Sequence, residues 1–234
     1  IHYRDEGDAS KPTLVLLHGF LQSLDVWSPI LLHLMRSMRV VTVDLPGHGY
    51  SDVTGQVCTM EEMADAVHAV ILHCGVEQCV LVGHSLGGYV ALAYADKHPY
   101  YLRGLGLLHS HAMADSAEGQ ERRRKACETA LSNRAGYILG FVHSLFADGK
   151  KLQLAQEMKE LEVQCLGTSV EGILATQRGM AARPSRLHVL ERLEVPVLFV
   201  YGKQDRRIPL EVGVSQAMVP RYAEIMLLED VAHM

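Results

Sequence analysis

The clearest candidate for chemistry is a serine on a short glycine-bounded segment. Residues 83–87 read GHSLG, follow the apolar run Cys79–Val82 and precede a helical pattern over Gly88–Lys97. A strand, a sharp turn and a helix in this order predict a strained turn that projects the Ser85 hydroxyl outward, and the small glycines let strand and helix pass without a clash. We therefore expect Ser85 to be a nucleophile. The N–H of Leu86, in the first turn of the helix, is expected to face negative charge that develops beside it.

A serine hydroxyl becomes a good nucleophile when a base takes its proton and an acid orients that base. Asp205 follows the apolar run Val197–Tyr201, and His233 follows a last apolar run, Glu224–Leu228. Nucleophile, acid and base then occur in the chain order that accompanies this kind of serine turn. We predict His233 as general base and Asp205 as the acid that orients it. Asp115 is the competing candidate for the acid.

A second oxyanion donor is predicted from the segment His18-Gly19-Phe20, which ends the first apolar run. In this kind of site the residue after the HG pair offers its backbone N–H to the oxyanion, so we predict an oxyanion hole formed by the N–H groups of Phe20 and Leu86. One such donor is worth about 3–4 kcal/mol of barrier lowering elsewhere.

Twelve of the 13 histidines compete with His233 for the role of base. His18, His48 and His84 lie within loop or turn motifs, where a neutral buried histidine usually satisfies a backbone group, so we expect them to be structural. His109 and His111 alternate at the end of an apolar run. Two histidines without a third ligand are a weak metal signal, so we predict structural or pocket-lining roles for both and no metal site.

These candidate residues must be positioned by an alternation of strands and helices. The clearest helix covers Met60–His73, with Thr59 as N-cap and two acidic residues in the first turn. The alternation predicts an α/β fold with a mostly parallel central sheet covered by helices on both faces. Apolar runs rich in branched residues predict the buried strands: Thr13–Leu17, Val40–Val43, Cys79–Val82, Leu102–Leu108, Val197–Tyr201 and Glu224–Leu228.

From about Ala112 to Leu187 the pattern is helical throughout and offers no strand candidate. A single crossover needs only a dozen or so residues, so this longer stretch predicts an inserted helical cap at residues 112–187. The two parts of one α/β core would then be residues 1–111 and 188–234. The predicted helices of the cap are Glu118–Leu131, Tyr137–Phe146, Leu152–Cys165 and Ser169–Ala181.

Composition narrows the class of protein. A chain of 234 residues with 48% hydrophobic and 21% charged residues fits a single core. A net charge of -5 and a pI near 6.2 give no basic field to attract nucleic acid or anionic lipid, so neither is expected as a partner. The five scattered cysteines lack a CxxC pair and suggest a reducing, cytoplasmic compartment. No apolar run reaches the roughly 20 residues that cross a bilayer.

The motifs together resemble the α/β-hydrolase superfamily. The resemblance implies a core of about eight strands with a helical cap, no cofactor, and acyl-enzyme chemistry on an ester or similar carbonyl of a small molecule. We expect a monomer or homodimer. Serine at position 85 argues against the haloalkane dehalogenase and epoxide hydrolase branches, which use aspartate there. The motifs that carry the resemblance are His18-Gly19-Phe20, Asp44-Leu45-Pro46-Gly47-His48-Gly49-Tyr50-Ser51, Gly83-His84-Ser85-Leu86-Gly87-Gly88, Gly202-Lys203-Gln204-Asp205 and His233.

Within the superfamily the branch stays open. Carboxylesterases, enol-lactonases, carbon–carbon bond hydrolases of ring-cleavage products and cofactor-free perhydrolases share these motifs. The segment 18–23 with Trp27 is also similar to the menaquinone-pathway cyclohexadiene synthases. Those enzymes carry an arginine just after the glycines that follow the serine, where this chain has Tyr89. We favour a serine carboxylesterase for small or medium acyl esters, because the predicted cap is rich in apolar side chains. A ligand receptor on the same scaffold is the non-enzyme alternative.

The two ends of the chain differ from the family pattern. The family usually has one more strand before Ile1–Arg4 and a final helix after its histidine, and this sequence runs from Ile1 to Met234 without either. A trimmed chain is therefore expected. Because terminal residues are often poorly ordered, we expect His233 to depend for its anchoring on residues that the sequence does not contain.

Overall fold

A seven-stranded sheet forms the centre of the computed structural model, which describes all 234 residues. The strands lie in the order β1-β3-β2-β4-β5-β6-β7, and every neighbouring pair is parallel except β1 with β3. The resemblance implied about eight strands, and seven are present. The strands are β1 Tyr3–Glu6, β2 Thr13–Leu17, β3 Arg39–Val43, β4 Cys79–His84, β5 Leu102–Leu108, β6 Val197–Gly202 and β7 Ala223–Leu228.

All six predicted strands are present, each extended by at most two residues at one end. The strand that the sequence pattern missed is β1, whose residues are polar and largely half-buried. It pairs antiparallel with β3 at the edge of the sheet, where a strand needs no continuous apolar run.

Nine α-helices connect and cover these strands. Helix α2 has the predicted bounds and begins with a capping box, in which the Thr59 side chain accepts from the Glu62 N–H and the Glu62 carboxylate accepts from the Thr59 N–H. None of the helices combines the length and apolar character that crossing a bilayer requires. The helices are α1 Ser28–Leu34, α2 Met60–His73, α3 Leu86–Lys97, α4 Ala117–Ser132, α5 Arg134–His143, α6 Ala155–Leu166, α7 Val170–Ala182, α8 Leu187–Arg192 and α9 Leu210–Ala217.

The four helices predicted between Ala112 and Leu187 correspond to α4–α7, with shifted ends. Helix α5 begins three residues before the predicted Tyr137 because the Asn133 side chain accepts from the Gly136 N–H at 2.9 Å and caps the helix there. Helices α1, α8 and α9 were not predicted. They have seven, six and eight residues, too few turns for a helical period to stand out.

Helices cover both faces of the sheet, as predicted, and the central strands β2 and β3 are buried on both faces. Successive residues of a strand point to opposite faces, and the residues of β2 and β3 divide accordingly between two apolar clusters. One face contributes to the large core of 48 residues, and the other packs on Trp27 and Leu31 in a smaller core of five. The large core includes Val15, Leu17, Val41 and Val43, and the smaller one includes Leu14, Leu16 and Val40.

The carboxyl ends of the central strands bring the candidate residues to one edge of the sheet. Because β4, β5 and β6 are adjacent and parallel, the segments that follow them start side by side. Ser85 follows β4 directly, His109 follows β5, and Asp205 lies three residues after β6. The edge of the sheet therefore assembles residues that are far apart in the chain, as is usual for ligand sites of open α/β sheets.

Candidate active site

Ser85 lies on the sharp turn that the sequence predicts. Its φ of 50° and ψ of -110° put a non-glycine residue in a strained backbone conformation between β4 and α3. A Cβ added at Gly83 would overlap the backbone of Gly87, and one added at Gly87 would overlap the backbone of Leu17. The turn is further tied by Ser110, whose Oγ donates to the Ser85 carbonyl at 2.8 Å. The close approach of strand and helix therefore requires glycine at both positions.

The structure brings the three predicted triad residues together. Ser85 Oγ lies 2.8 Å from His233 Nε2, and His233 Nδ1 lies 2.8 Å from Asp205 Oδ2. The other carboxylate oxygen of Asp205 accepts the N–H groups of Arg207 at 2.7 Å and Ile208 at 3.1 Å. Ser85 is half-buried, whereas the other two side chains are almost entirely enclosed.

The competing candidate for the acid, Asp115, pairs with arginines and does not contact His233. Its carboxylate forms ion pairs with Arg123 on α4 and with Arg183, the residue that follows α7. It makes no hydrogen bond to His233. In this structure Asp205 is therefore the carboxylate that contacts the imidazole.

The charge states of the pair follow from burial and hydrogen bonding. Burial alone would raise the pKa of Asp205, but hydrogen bonds from His109 and His233 outweigh that effect and hold the pKa below its usual range. Burial lowers the pKa of His233, although the hydrogen bond and charge of Asp205 oppose the shift. At neutral pH a charged Asp205 therefore accepts Nδ1–H from a neutral His233. The Nε2 lone pair of His233 is then available to the Ser85 hydroxyl.

The two predicted oxyanion donors are free of other partners. Neither the Phe20 N–H nor the Leu86 N–H donates a hydrogen bond within the protein, although both residues are buried. The neighbouring Gly19 N–H, in contrast, is occupied by Gln22 Oε1 at 2.8 Å. The loop of Phe20 packs against the serine turn, since a Cβ on Gly19 would lie 2.7 Å from His84 Nδ1. Unpaired amides beside a nucleophile can hold a developing negative charge.

His233 is anchored by residues that the sequence does contain, which corrects the expectation drawn from the chain end. The N–H groups of His233 and Met234 both donate to the Leu145 carbonyl at 3.0 Å. The His84 Nε2–H donates to the His233 carbonyl at 2.9 Å. His84, which lies in the serine turn, therefore also holds the backbone of the base. The contact joins residues 149 positions apart, so no local pattern in the sequence points to it.

Two of the other loop histidines have the structural contacts that the sequence predicts. His18 donates from Nδ1 to the Gly19 carbonyl at 2.8 Å and accepts the Leu45 N–H on Nε2 at 3.0 Å. His48 Nδ1 lies 3.2 Å from the Pro46 carbonyl, and burial lowers the pKa of this histidine to about 3. Both rings are therefore neutral at physiological pH and tie the loops that follow β2 and β3.

The contact that sequence reasoning missed is the one between His109 and Asp205, since the sequence predicted only a structural or pocket-lining role for this histidine. Its Nδ1 lies 3.1 Å from Asp205 Oδ2, the oxygen that also contacts His233. The available signal was its position at the end of β5, between the two strands that lead to the nucleophile and the acid.

The three residues His109, Asp205 and His233 also form the one cluster with the donor set of a metal site. Their ligand atoms lie within 4.8 Å of one another. The separations of 2.8 Å and 3.1 Å from Asp205 Oδ2 are those of hydrogen bonds. His111 lies outside this group and contacts the Tyr89 hydroxyl at 3.4 Å, so it does not pair with His109 as a metal ligand would.

Comparison with known proteins finds similarity to esterases and to an acetyltransferase component. A thermophilic esterase from Thermogutta terrifontis, solved with malate bound, superimposes with a TM-score of 0.93 at 31% identity, over 99% of this chain and 85% of that chain. A pimeloyl-(acyl-carrier protein) methyl ester esterase of Neisseria meningitidis is 30% identical over 93% of this chain and 70% of its own length. The dihydrolipoyllysine-residue acetyltransferase component of an acetoin cleaving system from Pseudomonas putida is 28% identical over 97% of this chain, which spans 60% of that protein's length.

The family model described as the alpha/beta hydrolase fold matches residues 12–225, which is most of the chain. The match includes β2 to β6, the serine turn and Asp205. It agrees with the seven-stranded sheet and with the resemblance carried by the sequence motifs. The chain therefore belongs to the α/β-hydrolase family.

Proposed function

We propose that the protein is a serine hydrolase that cleaves a carboxylic ester with a small or medium acyl group. The observation that carries the proposal is the continuous hydrogen-bonded line from Ser85 Oγ through His233 to Asp205, with 2.8 Å at each step. The strained turn under Ser85 supports it, because such strain is retained where it serves a function. The esterases among the similar proteins favour an ester as the substrate.

The reaction follows from the roles of these groups. His233 Nε2 takes the hydroxyl proton as Ser85 Oγ attacks the carbonyl carbon, and Asp205 stabilises the imidazolium that forms. The N–H groups of Phe20 and Leu86 hold the negative oxygen of the tetrahedral intermediate. His233 then gives its proton to the departing alcohol and leaves an acyl group on Ser85. Water attacks this acyl-enzyme with the same base, which releases the acid and restores the serine.

The segment 112–187, with helices α4–α7, is proposed as the cap that forms most of the substrate pocket. The ring of Phe141 on α5 packs edge-to-face on the ring of Phe20, with centroids 5.4 Å apart. The carbonyl of Leu145, just after α5, holds the His233 backbone. Helix α5 therefore contacts the oxyanion segment, and the segment just after it contacts the backbone of the base. The aromatic side chains of α5 favour an apolar acyl group, since a pocket wall of this kind gains from burying hydrocarbon.

The experiment that tests the proposal is turnover of p-nitrophenyl acetate and butyrate by the wild-type chain and by Ser85→Ala. We expect the variant to lose activity by on the order of 10⁶-fold, as when a serine hydrolase loses its nucleophile. Ser37→Ala is a matched control, because Ser37 is exposed and contacts only the Leu34 carbonyl. Turnover at the wild-type rate in Ser85→Ala would contradict the proposal.

Two extensions of this assay separate the alternatives. A panel that adds lactones and vinylogous diketones identifies which carbonyl the site prefers, and a preference for either class over esters contradicts the ester assignment. A burst of one product molecule per chain without further turnover would instead indicate a ligand receptor on the same scaffold.

A further inference from the structure

His109 is a buried histidine that touches the triad without belonging to it. Its side chain is 8% exposed, and its Nδ1 lies 3.1 Å from Asp205 Oδ2. The same oxygen contacts His233 Nδ1, while Oδ1 accepts the N–H groups of Arg207 and Ile208. Each oxygen of Asp205 therefore has two contacts, which corresponds to the roughly four acceptor positions of a carboxylate.

The backbone of His109 is held in an unusual conformation. Its φ of 47° lies in the left-handed region, yet its N–H still donates to the Val200 carbonyl at 2.9 Å and continues the ladder between β5 and β6. A residue other than glycine remains in this region where the surrounding contacts determine its position. The contact with Asp205 is one such restraint.

The tautomer of His109 follows from its neighbours. An unprotonated Nδ1 would point a lone pair at the carboxylate, whereas a protonated Nδ1 forms a charge-assisted hydrogen bond with it. The Gly202 N–H also approaches Nδ1, but at the longer distance of 3.4 Å and as a neutral donor. The stronger interaction therefore puts the proton on Nδ1.

We propose that His109 is a positioning residue of the active site, which donates Nδ1–H to Asp205 and holds the carboxylate in the orientation that presents Oδ2 to His233. The proposal rests on the function proposed above. The second donor also draws electron density from Oδ2, so Asp205 is a weaker acceptor toward His233 than it would be alone. Without His109 the protonated form of His233 is stabilised more strongly, and the acid limb of activity moves to higher pH.

The test compares His109→Ala with His109→Asn in ester turnover. Asparagine tolerates left-handed backbone, and its Nδ2 can take the place of the histidine Nδ1 as donor. We expect His109→Ala to lose about 10- to 100-fold in kcat, the size of the loss when a hydrogen-bond partner that orients a metal ligand is removed. KM should stay within about twofold of the wild-type value. The pH at which kcat/KM falls to half on the acid side should increase by about half a pH unit. His109→Asn should restore most of kcat and the wild-type limb.

A matched control is His33→Ala, which removes an exposed histidine of α1 and should leave kcat, KM and the pH profile unchanged. The proposal is overturned if His109→Ala has the same kcat and the same acid-side pH dependence as the wild type. It is also overturned if His109→Asn loses as much activity as His109→Ala. Because the alanine variant could fail to fold, nitrogen-15 NMR of the wild-type protein gives a second readout. A proton on His109 Nδ1 supports the proposal, and an unprotonated Nδ1 overturns it.

The outcomes separate the two proposals. If turnover depends on Ser85 but is insensitive to His109, only the positioning role fails. If no Ser85-dependent turnover exists, the proposed function fails, and the NMR tautomer still decides whether His109 donates to Asp205.

Discussion

Replacing Asp115 by asparagine is expected to destabilise the fold by about 3 kcal/mol. Asp115 Oδ1 accepts Arg183 Nη1 at 2.8 Å, and its Oδ2 pairs with Arg123 Nε. The exposed fractions of the side chains are 2% for Arg183, 10% for Asp115 and 20% for Arg123. Removing one partner of a buried pair costs about 3–5 kcal/mol because it leaves a charge buried and uncompensated. We take the lower end because Arg123 keeps partial contact with water.

The surroundings of Arg183 offer no other anion. Its guanidinium stacks over the Tyr89 ring at 3.9 Å, and its Nε and Nη2 are buried without a hydrogen-bond partner. Asp115 is its only ion-pair partner. The carboxylate thus joins the segment after β5 to α4 and to the end of α7, so its loss should also loosen the proposed cap.

The dependence of this contribution on pH has a definite sign. Burial would raise the pKa of Asp115, but hydrogen bonds and charges of Arg123 and Arg183 outweigh it and hold the pKa below its usual value. A folded-state pKa below the unfolded value means that the stabilisation is fully present above the unfolded pKa of about 3.9 and is lost as the pH falls through the folded pKa. The difference between wild type and Asp115→Asn should be constant from neutral pH to about pH 5 and shrink below about pH 4.

Urea and thermal unfolding followed by circular dichroism measure the effect. At about 2–4 °C per kcal/mol for a domain of this size, Tm should fall by about 6–12 °C. Glu121→Gln is the control, because Glu121 pairs with Arg124 on the exposed face of α4, the helix that carries Arg123. This variant should change stability by less than about 0.5 kcal/mol. An Asp115→Asn variant as stable as wild type, or a Glu121→Gln variant that loses as much, would refute the reasoning.

Two further predictions concern the base and the serine turn. Burial lowers the pKa of His233 below the 6.5 of a solvated histidine, and the base must be neutral to act. We therefore expect kcat/KM to fall only as the pH drops through a value below 6.5. A wild-type pH profile in which kcat/KM already falls above pH 6.5 contradicts this prediction. Gly87→Ala should cost more than about 4 kcal/mol, since its Cβ would overlap the Leu17 backbone, whereas Gly140→Ala, whose Cβ meets nothing, should stabilise by about 0.5–1 kcal/mol. Equal Tm values for the two glycine variants would contradict the steric argument.

Local patterns were sufficient for most of the fold. The strands from β2 to β6 are apolar runs because both faces of each are largely covered, and that burial is visible in the sequence itself. Helix α2 was recognisable from its capping residues and apolar stripe. The elements missed were the polar edge strand β1 and the three short helices, whose stability comes from contacts with neighbouring strands and helices rather than from their own pattern.

The candidate site divides in the same way. The sequence alone determined the glycine-bounded turn of Ser85 and the order of Ser85, Asp205 and His233, because a strained turn and a carboxylate after a strand are written in consecutive residues. Only the tertiary structure decided that Asp205 rather than Asp115 faces His233, and that His84, His109 and the Leu145 carbonyl hold the pair. These contacts join separate strands and the α5 region across as many as 149 positions, and their geometry is set by strand order and packing, which no local pattern encodes.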